Sequence, residues 1–198
     1  MPMITAFLQR WLGRRWGRKD AQARCKVLFV CMANLCRSPT AEAVFRHHIE
    51  RAGLAHEIAC ASAGTHEFNA GSAPDGRARA AASKRGYDMS RFRGRGVIDE
   101  DFTRFDLIVA MDRQNLEALR SRCPPEQAGR LRLLMEFAQQ RDALDIPDPY
   151  YGNAQGFEVV LDMIEDACAA LLQHVRSTHL AGPQAGEVLD PTIGTSAR

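Results

Sequence analysis

The sequence predicts an α/β fold: a four-stranded parallel sheet with helices on both faces. Two observations carry this. Between residues 26 and 178, short apolar runs alternate with amphipathic stretches at helical spacing, the pattern of strand and helix units in a parallel sheet. A chain of 198 residues also has material for one sizeable core and is short for two.

The first strand is Val27 to Cys31, an apolar run that ends in a thiol. A polar turn over Met32, Ala33, Asn34, Leu35, Cys36, Arg37 and Ser38 follows, and Pro39 suits the first position of a helix near residues 39–52. Glu57 to Ser62 reads as the second strand, with a helix near 75–85. Leu107 to Ala110 and Leu131 to Leu134 read as the third and fourth, separated by a helix near 113–121. The last helix, 156–177, places Phe157, Val160, Leu161, Ile164, Cys168 and Leu171 at helical spacing. Sheets of this kind bind ligands at the carboxyl ends of their strands, where the turn after Val30 falls.

That turn has the composition of an anion site with a nucleophile in it. Successive backbone N–H groups and a helix N-terminus can aim at a phosphate, and Arg37 adds a planar fork of donors. The same positive field favours the thiolate of Cys31 at neutral pH. Asn34 tolerates the left-handed conformation a tight turn uses, and Ser38 can hydrogen-bond the thiolate or cap the helix. The competing reading makes Cys31 a small hydrophobe at the end of a buried strand, Ser38 a simple cap and Arg37 a surface residue.

From Val30 to Glu42 the chain resembles the first strand, loop and helix start of the low-molecular-weight protein tyrosine phosphatase family, in its bacterial type. Ser62-Ala63-Gly64-Thr65, Asp106 to Asp112 and Asp148-Pro149-Tyr150-Tyr151 resemble later blocks in the family's order, so the likeness covers about residues 25–178. It implies a flavodoxin-like three-layer sandwich and a protein-tyrosine phosphatase that works through a phosphocysteine, with no cofactor and no metal. Cys31 would be the nucleophile, Arg37 the phosphate clamp and Asp148 the general acid, needed because an unprotonated phenolate leaves slowly. Proline after Asp148 holds that residue extended or in a turn; Asp142 and Asp145 are rival acids that do not match the family motif.

The resemblance also assigns the substrate walls to Phe68, Tyr150 and Tyr151, aromatic faces that favour an aryl phosphate, although Phe68 also reads as a core or loop-anchoring residue. Leu35 is similar to the tyrosine-directed members, where phosphoarginine-directed relatives carry threonine. Cys36 has two readings, a redox partner that protects Cys31 by a reversible disulfide or a buried residue under the loop. Asn34, Ser62 and Asp112 are candidates for holding the loop, and Asp112 equally suits a helix cap. Ala33 stands where glycine is common, which costs about 1 kcal/mol if the position needs a positive φ.

The formal charge of +2 conceals an asymmetry, since residues 1–24 carry +5 and the remainder −3. The net charge therefore gives no support to a nucleic-acid partner. Residues 1–24 form a basic amphipathic leader, with Met3, Ile4, Phe7, Leu8, Trp11 and Leu12 at helical spacing against Arg10, Arg14, Arg15, Arg18 and Lys19. Such a segment suits an anionic membrane interface; a disordered leader, an upstream start or a docked helix are the alternatives. The phosphatase domain spans 25–178, and 179–198 reads as a flexible tail. Six cysteines without paired CxxC spacing speak against a zinc site or a dense disulfide framework, and a thiol nucleophile suits a reducing compartment. The expectation is a cytoplasmic monomer or weak dimer, peripheral at the inner face of the membrane if the leader binds there. Its substrate is a phosphotyrosine protein, by family analogy a tyrosine kinase of polysaccharide export. The rivals are an arsenate reductase of the same fold, whose resolving cysteines have no counterpart between Cys60 and Cys123, and a catalytically silent phosphate-binding module.

Overall fold

The computed structural model describes residue 20, residues 22–139 and residues 143–181. The amphipathic part of the leader, nearly all of the tail and the rival acid Asp142 lie outside them.

Strands β1 (Cys25–Cys31), β2 (Ile58–Gly64), β3 (Leu107–Ala110) and β4 (Leu131–Leu133) form one parallel sheet in the order β2-β1-β3-β4. This is the flavodoxin-like order, whose switch point lies beside β1 at its junction with β3. Cys31 pairs with Gly64 in register, and Val30 with Ala110.

The helices are α1 (Arg37–Arg51), α2 (Gly76–Lys84), α3 (Asp99–Arg104), α4 (Arg113–Arg120) and α5 (Ala154–Val175). Two apolar clusters lie on opposite faces of the sheet. Val27, Phe29 and Cys31 pack with Val44 and Phe45 of α1 and with Leu161 and Ile164 of α5. Leu28 and Val30 pack with Phe102 of α3, Phe105, and Leu116 and Leu119 of α4. Covered on both sides, β1 reads as a continuous apolar run rather than an alternating one. Three layers result, and the sheet's central strand delivers Cys31 to their upper edge.

Three details differ from the sequence reading. Helix α1 starts at Arg37, so Pro39 is its third residue, still within the turn that needs no intrahelical N–H donor. Strand β2 runs on to Gly64 because β1 pairs with it to that point. The short helix α3 was not expected; Asp101 closes its first turn by accepting Ile98 N at 3.0 Å and meets Arg95 at 2.7 Å in a buried ion pair. The adjacent His47 and His48 of α1 are half-buried, with the His47 ring edge-on to Tyr87 at 5.3 Å.

Candidate active site

The turn after β1 is held from beneath by the exit of β2. Thr65 N donates to Cys31 O at 2.9 Å and His66 N to Met32 O at 3.0 Å. Gly64 makes this approach possible, since a Cβ there would stand 2.8 Å from Met32 O and 2.9 Å from His66 O. Asn34 takes the left-handed conformation at φ 54°, alone among the described non-glycine residues. Ala33 does not, so its methyl carries no such penalty.

Buried polar groups fix the rest. Asn34 Nδ2 donates to Ser38 Oγ at 2.9 Å, while Asn34 Oδ1 accepts from Arg95 N at 3.0 Å. Ser38 Oγ lies 3.1 Å from Cys31 Sγ and 3.1 Å from Ala63 O. A hydroxyl has one proton and two acceptor sites. Ser38 can therefore accept from the thiol while donating to Ala63, or turn its proton to a thiolate. It does not cap α1, whose first residue follows Cys36 with no side-chain cap. The amide N–H groups of residues 33–38 find no acceptor among the described residues, leaving a ring of free donors at a helix N-terminus, the arrangement that binds anions.

Arg37 is 3% exposed. Its Nη1 donates to Asp112 Oδ2 at 2.5 Å and to Ile146 O at 3.0 Å, and its Nη2 to Asp148 Oδ2 at 3.1 Å. Burial works against the charge, yet Cys31, the bond to Asp112 and the field of Asp148 outweigh it, so its pKa moves upward and the guanidinium is a permanent cation. Asp112 performs both of the roles open to it, capping α4 by accepting Asn115 N at 2.6 Å with one oxygen and holding Arg37 with the other.

Asp148 comes from a distant loop anchored at Ile146, which is fully buried and donates its N–H to Met111 O at 2.9 Å. Its second oxygen accepts Tyr150 N at 3.2 Å, a local turn of the kind aspartate favours. The rival Asp145 is engaged elsewhere, gripped by Arg113 Nη2 at 2.7 Å and Nε at 2.9 Å, and its hydrogen bond with that side chain holds its carboxyl below the ordinary range.

Phe68 is 86% exposed and stacks on His66 at 5.3 Å, which removes the core reading for it. Tyr151 is 92% exposed and meets Tyr150 edge-on at 5.1 Å. Leu35 packs in part against the core, and its carbonyl accepts Asp75 N at 2.9 Å. Burial, with Asp75, Cys31 and Asp148 adding to it, pushes the Cys36 thiol up to about 12; both it and Cys31 are free thiols. Ser62 does not touch the turn, because its hydroxyl donates to Glu42 of α1 at 2.8 Å. Among the described residues, no three or more His, Cys, Asp or Glu side chains are placed to hold a metal ion, and no helix is long and apolar enough to cross a membrane.

Sequence reasoning did not foresee Arg95, whose backbone aligns Asn34, or Asp75 and Arg77, which touch both loops. The spacing Asp75-Gly76-Arg77 at a helix start was the available signal, since an N-cap aspartate can also receive the arginine two positions on.

A thiol and a buried guanidinium on a turn of free amides, with a carboxyl group facing them, define an anion site equipped with a nucleophile. The family model for low molecular weight phosphotyrosine protein phosphatases matches residues 26–180. A low molecular weight protein-tyrosine-phosphatase of Streptomyces coelicolor is 44% identical over 154 residues, 76% of this chain and 93% of that protein. A solved protein tyrosine phosphatase of Entamoeba histolytica superposes with a TM-score of 0.75 at 38% identity, covering 77% of this chain and 97% of the other. The Drosophila arginine phosphatase superposes with a TM-score of 0.71 at 32% identity, over 77% and 99% of the two chains. The chain belongs to the low-molecular-weight phosphotyrosine protein phosphatase family.

Proposed function

We propose that this protein hydrolyses phosphotyrosine in proteins through a phosphocysteine on Cys31. One observation carries the reading: Asp148 is bound to a buried cation, Arg37, on the same turn of free amides that begins at Cys31. In the first step the Cys31 thiolate attacks phosphorus in line. An S–P bond forms, the ester P–O bond breaks, and the leaving oxygen takes the Asp148 proton. In the second, water gives a proton to Asp148 and attacks phosphorus, releasing inorganic phosphate and the thiolate. The free amides and Arg37 stabilise the equatorial oxygens as charge develops, and the Ser38 proton turns from Ala63 O to the departing sulfur. Arg37 Nη1 stays fixed by Asp112 and Ile146, while Nη2 exchanges Asp148 for a phosphate oxygen. That exchange frees the acid at the moment substrate arrives.

Exposed aromatic faces at Phe68, Tyr150 and Tyr151 support an aryl ester. Steady-state turnover of matched phosphotyrosine, phosphoserine and phosphoarginine peptides, with chelator present, tests this. Phosphotyrosine is expected to lead and Cys31→Ser to abolish turnover. Comparable rates on all three, a requirement for divalent metal or activity persisting in Cys31→Ser would refute it.

We also propose that the basic leader holds the enzyme at an anionic membrane face, which its sequence pattern supports. Full-length protein should sediment with vesicles containing phosphatidylserine and a chain starting at Arg24 should not; equal behaviour removes the claim. Cys36 is proposed to protect Cys31 by a reversible disulfide, and trapping on Cys31→Ser in the host would identify the phosphoprotein, a membrane tyrosine kinase of polysaccharide export being the proposed one.

A further inference from the structure

We infer that Asp75 and Arg77 form a bracket that sets the acid loop against the anion turn and thereby governs proton delivery by Asp148. Asp75 N donates to Leu35 O at 2.9 Å, on the anion turn itself. The Asp75 carboxylate holds Arg77 in a fork, with Oδ1 accepting Nε at 3.1 Å and Oδ2 accepting Nη2 at 2.9 Å, while Oδ1 also caps α2 through Arg77 N at 2.8 Å. So oriented, the guanidinium reaches the acid loop. Nη2 donates to Tyr150 O at 3.0 Å and Nη1 to Gly152 O at 3.4 Å, and the cation lies 5.5 Å from the Tyr150 ring centroid and 4.7 Å from that of Phe157 on α5. Tyr150 N in turn holds Asp148. One polar path therefore runs from the Leu35 carbonyl through Asp75, Arg77 and Tyr150 to the catalytic carboxyl.

An ion pair with Arg77 44% exposed contributes little to stability. Its geometry matters more, since proton transfer demands hydrogen-bond reach and an ångström of misplacement is costly to a reaction. Lysine cannot reproduce the fork. Arg77 and Asp75 are thus positioning residues that touch neither substrate nor phosphorus.

The inference rests on the phosphatase reading, and the test separates the two. The full-length protein is assayed for kcat/KM on aryl phosphates whose leaving phenols range from dinitrophenol to phenol. Wild type, able to protonate the leaving group, should depend weakly on the phenol. Arg77→Met, and Asp75→Ser, which keeps a cap acceptor for α2, should lose about tenfold or more on phenyl phosphate, a share of what a general acid contributes, and less than twofold on the dinitrophenyl ester. Inhibition by inorganic phosphate should not move, Arg77→Lys should stay close to Arg77→Met, and Arg77→Met added to Asp148→Asn should cost nothing further. Equal losses across the series, no loss, altered phosphate inhibition or an additive double variant would overturn the bracket. Wild type that cleaves none of the esters fells the phosphatase reading, and with it the bracket, before any variant is made.

Discussion

The anion turn at residues 31–38 and the acid loop at 145–152 meet at one guanidinium but are built in opposite ways. The turn is contiguous, lies at the end of a central strand, and has its polar side chains buried: Asn34 at 2%, Arg37 at 3% and Ser38 fully. The acid loop is largely exposed and takes its shape from elsewhere, with Ile146 on Met111, Asp145 on Arg113, and Tyr150 and Gly152 on Arg77. In the proposed mechanism nucleophilic attack and charge stabilisation fall to the buried turn. Proton transfer falls there to the exposed loop, which would yield Arg37 when phosphate enters.

If that contrast holds, damage to the turn should suppress all substrates and damage to the loop should discriminate among them. Arg37→Lys keeps a charge but loses the fork that serves Asp112, Ile146 and Asp148. We expect kcat/KM to fall about 10³-fold for every leaving group, the scale of losing a charge-stabilising donor; a loss confined to poor leaving groups would erase the division. Asp148→Asn should cost about 10²-fold on phenyl phosphate and little on an activated ester. An equal loss on both esters would assign the proton to another group.

The turn was legible in the sequence for the reason that makes it rigid. Cys31, Asn34, Arg37 and Ser38 stand within eight positions, and their chemistry needs only the preceding strand and following helix to become a site. The four strands were legible because burial on both faces leaves continuous apolar runs at β1 and β3. The contacts that hold the acid loop join residues far apart in the chain, Arg37 to Asp148 and Arg77 to Tyr150, and no local pattern announces them. Helix α3 was missed on different grounds. It is six residues long, too short for apolar periodicity, and only the acidic run Asp99-Glu100-Asp101 marked its N-terminus. Ser62 was misassigned because its neighbours in sequence approach the turn, while its own hydroxyl faces Glu42 on α1.

A pair of substitutions at Asn34 sharpens the picture of the turn. Asn34→Ala loses the bonds to Ser38 and Arg95 N and places a methyl-bearing residue at φ 54°. Asn34→Gly loses the same bonds and relieves the backbone. Denaturant unfolding should find the alanine variant about 1 kcal/mol less stable than the glycine variant, with both poorer than wild type because a buried amide is orphaned. Equal stability would mean that the left-handed conformation is held by the surrounding contacts at no cost to the turn.

Acid should separate the two regions with the smallest effect. His48 lies in the last turn of α1, and burial first, then His47, lowers its pKa below the ordinary 6.5 against the opposing field of Glu165. As pH falls through 6.5 the unfolded chain takes up a proton that the folded chain refuses. The unfolded state then binds more protons, so stability declines toward the lower folded value. Asp145 in the acid loop behaves differently. Its pKa is depressed by Arg113 from an ordinary 3.8, so the stabilisation from that pair is complete above 3.8 and disappears only as pH drops through the still lower folded value. Between pH 7 and 5 the melting temperature should therefore fall slightly on account of the helical body, while the Asp145–Arg113 pair persists. His48→Gln should reduce that slope, leaving the share of His174, whose pKa burial also lowers, and should not touch the decline below pH 4; Arg113→Gln should reduce that decline, leaving the shares of Asp75 and Asp88, and should not touch the slope above pH 5. Scanning calorimetry across the range checks both, and a slope above pH 5 that follows Arg113 instead of His48 would overturn this assignment.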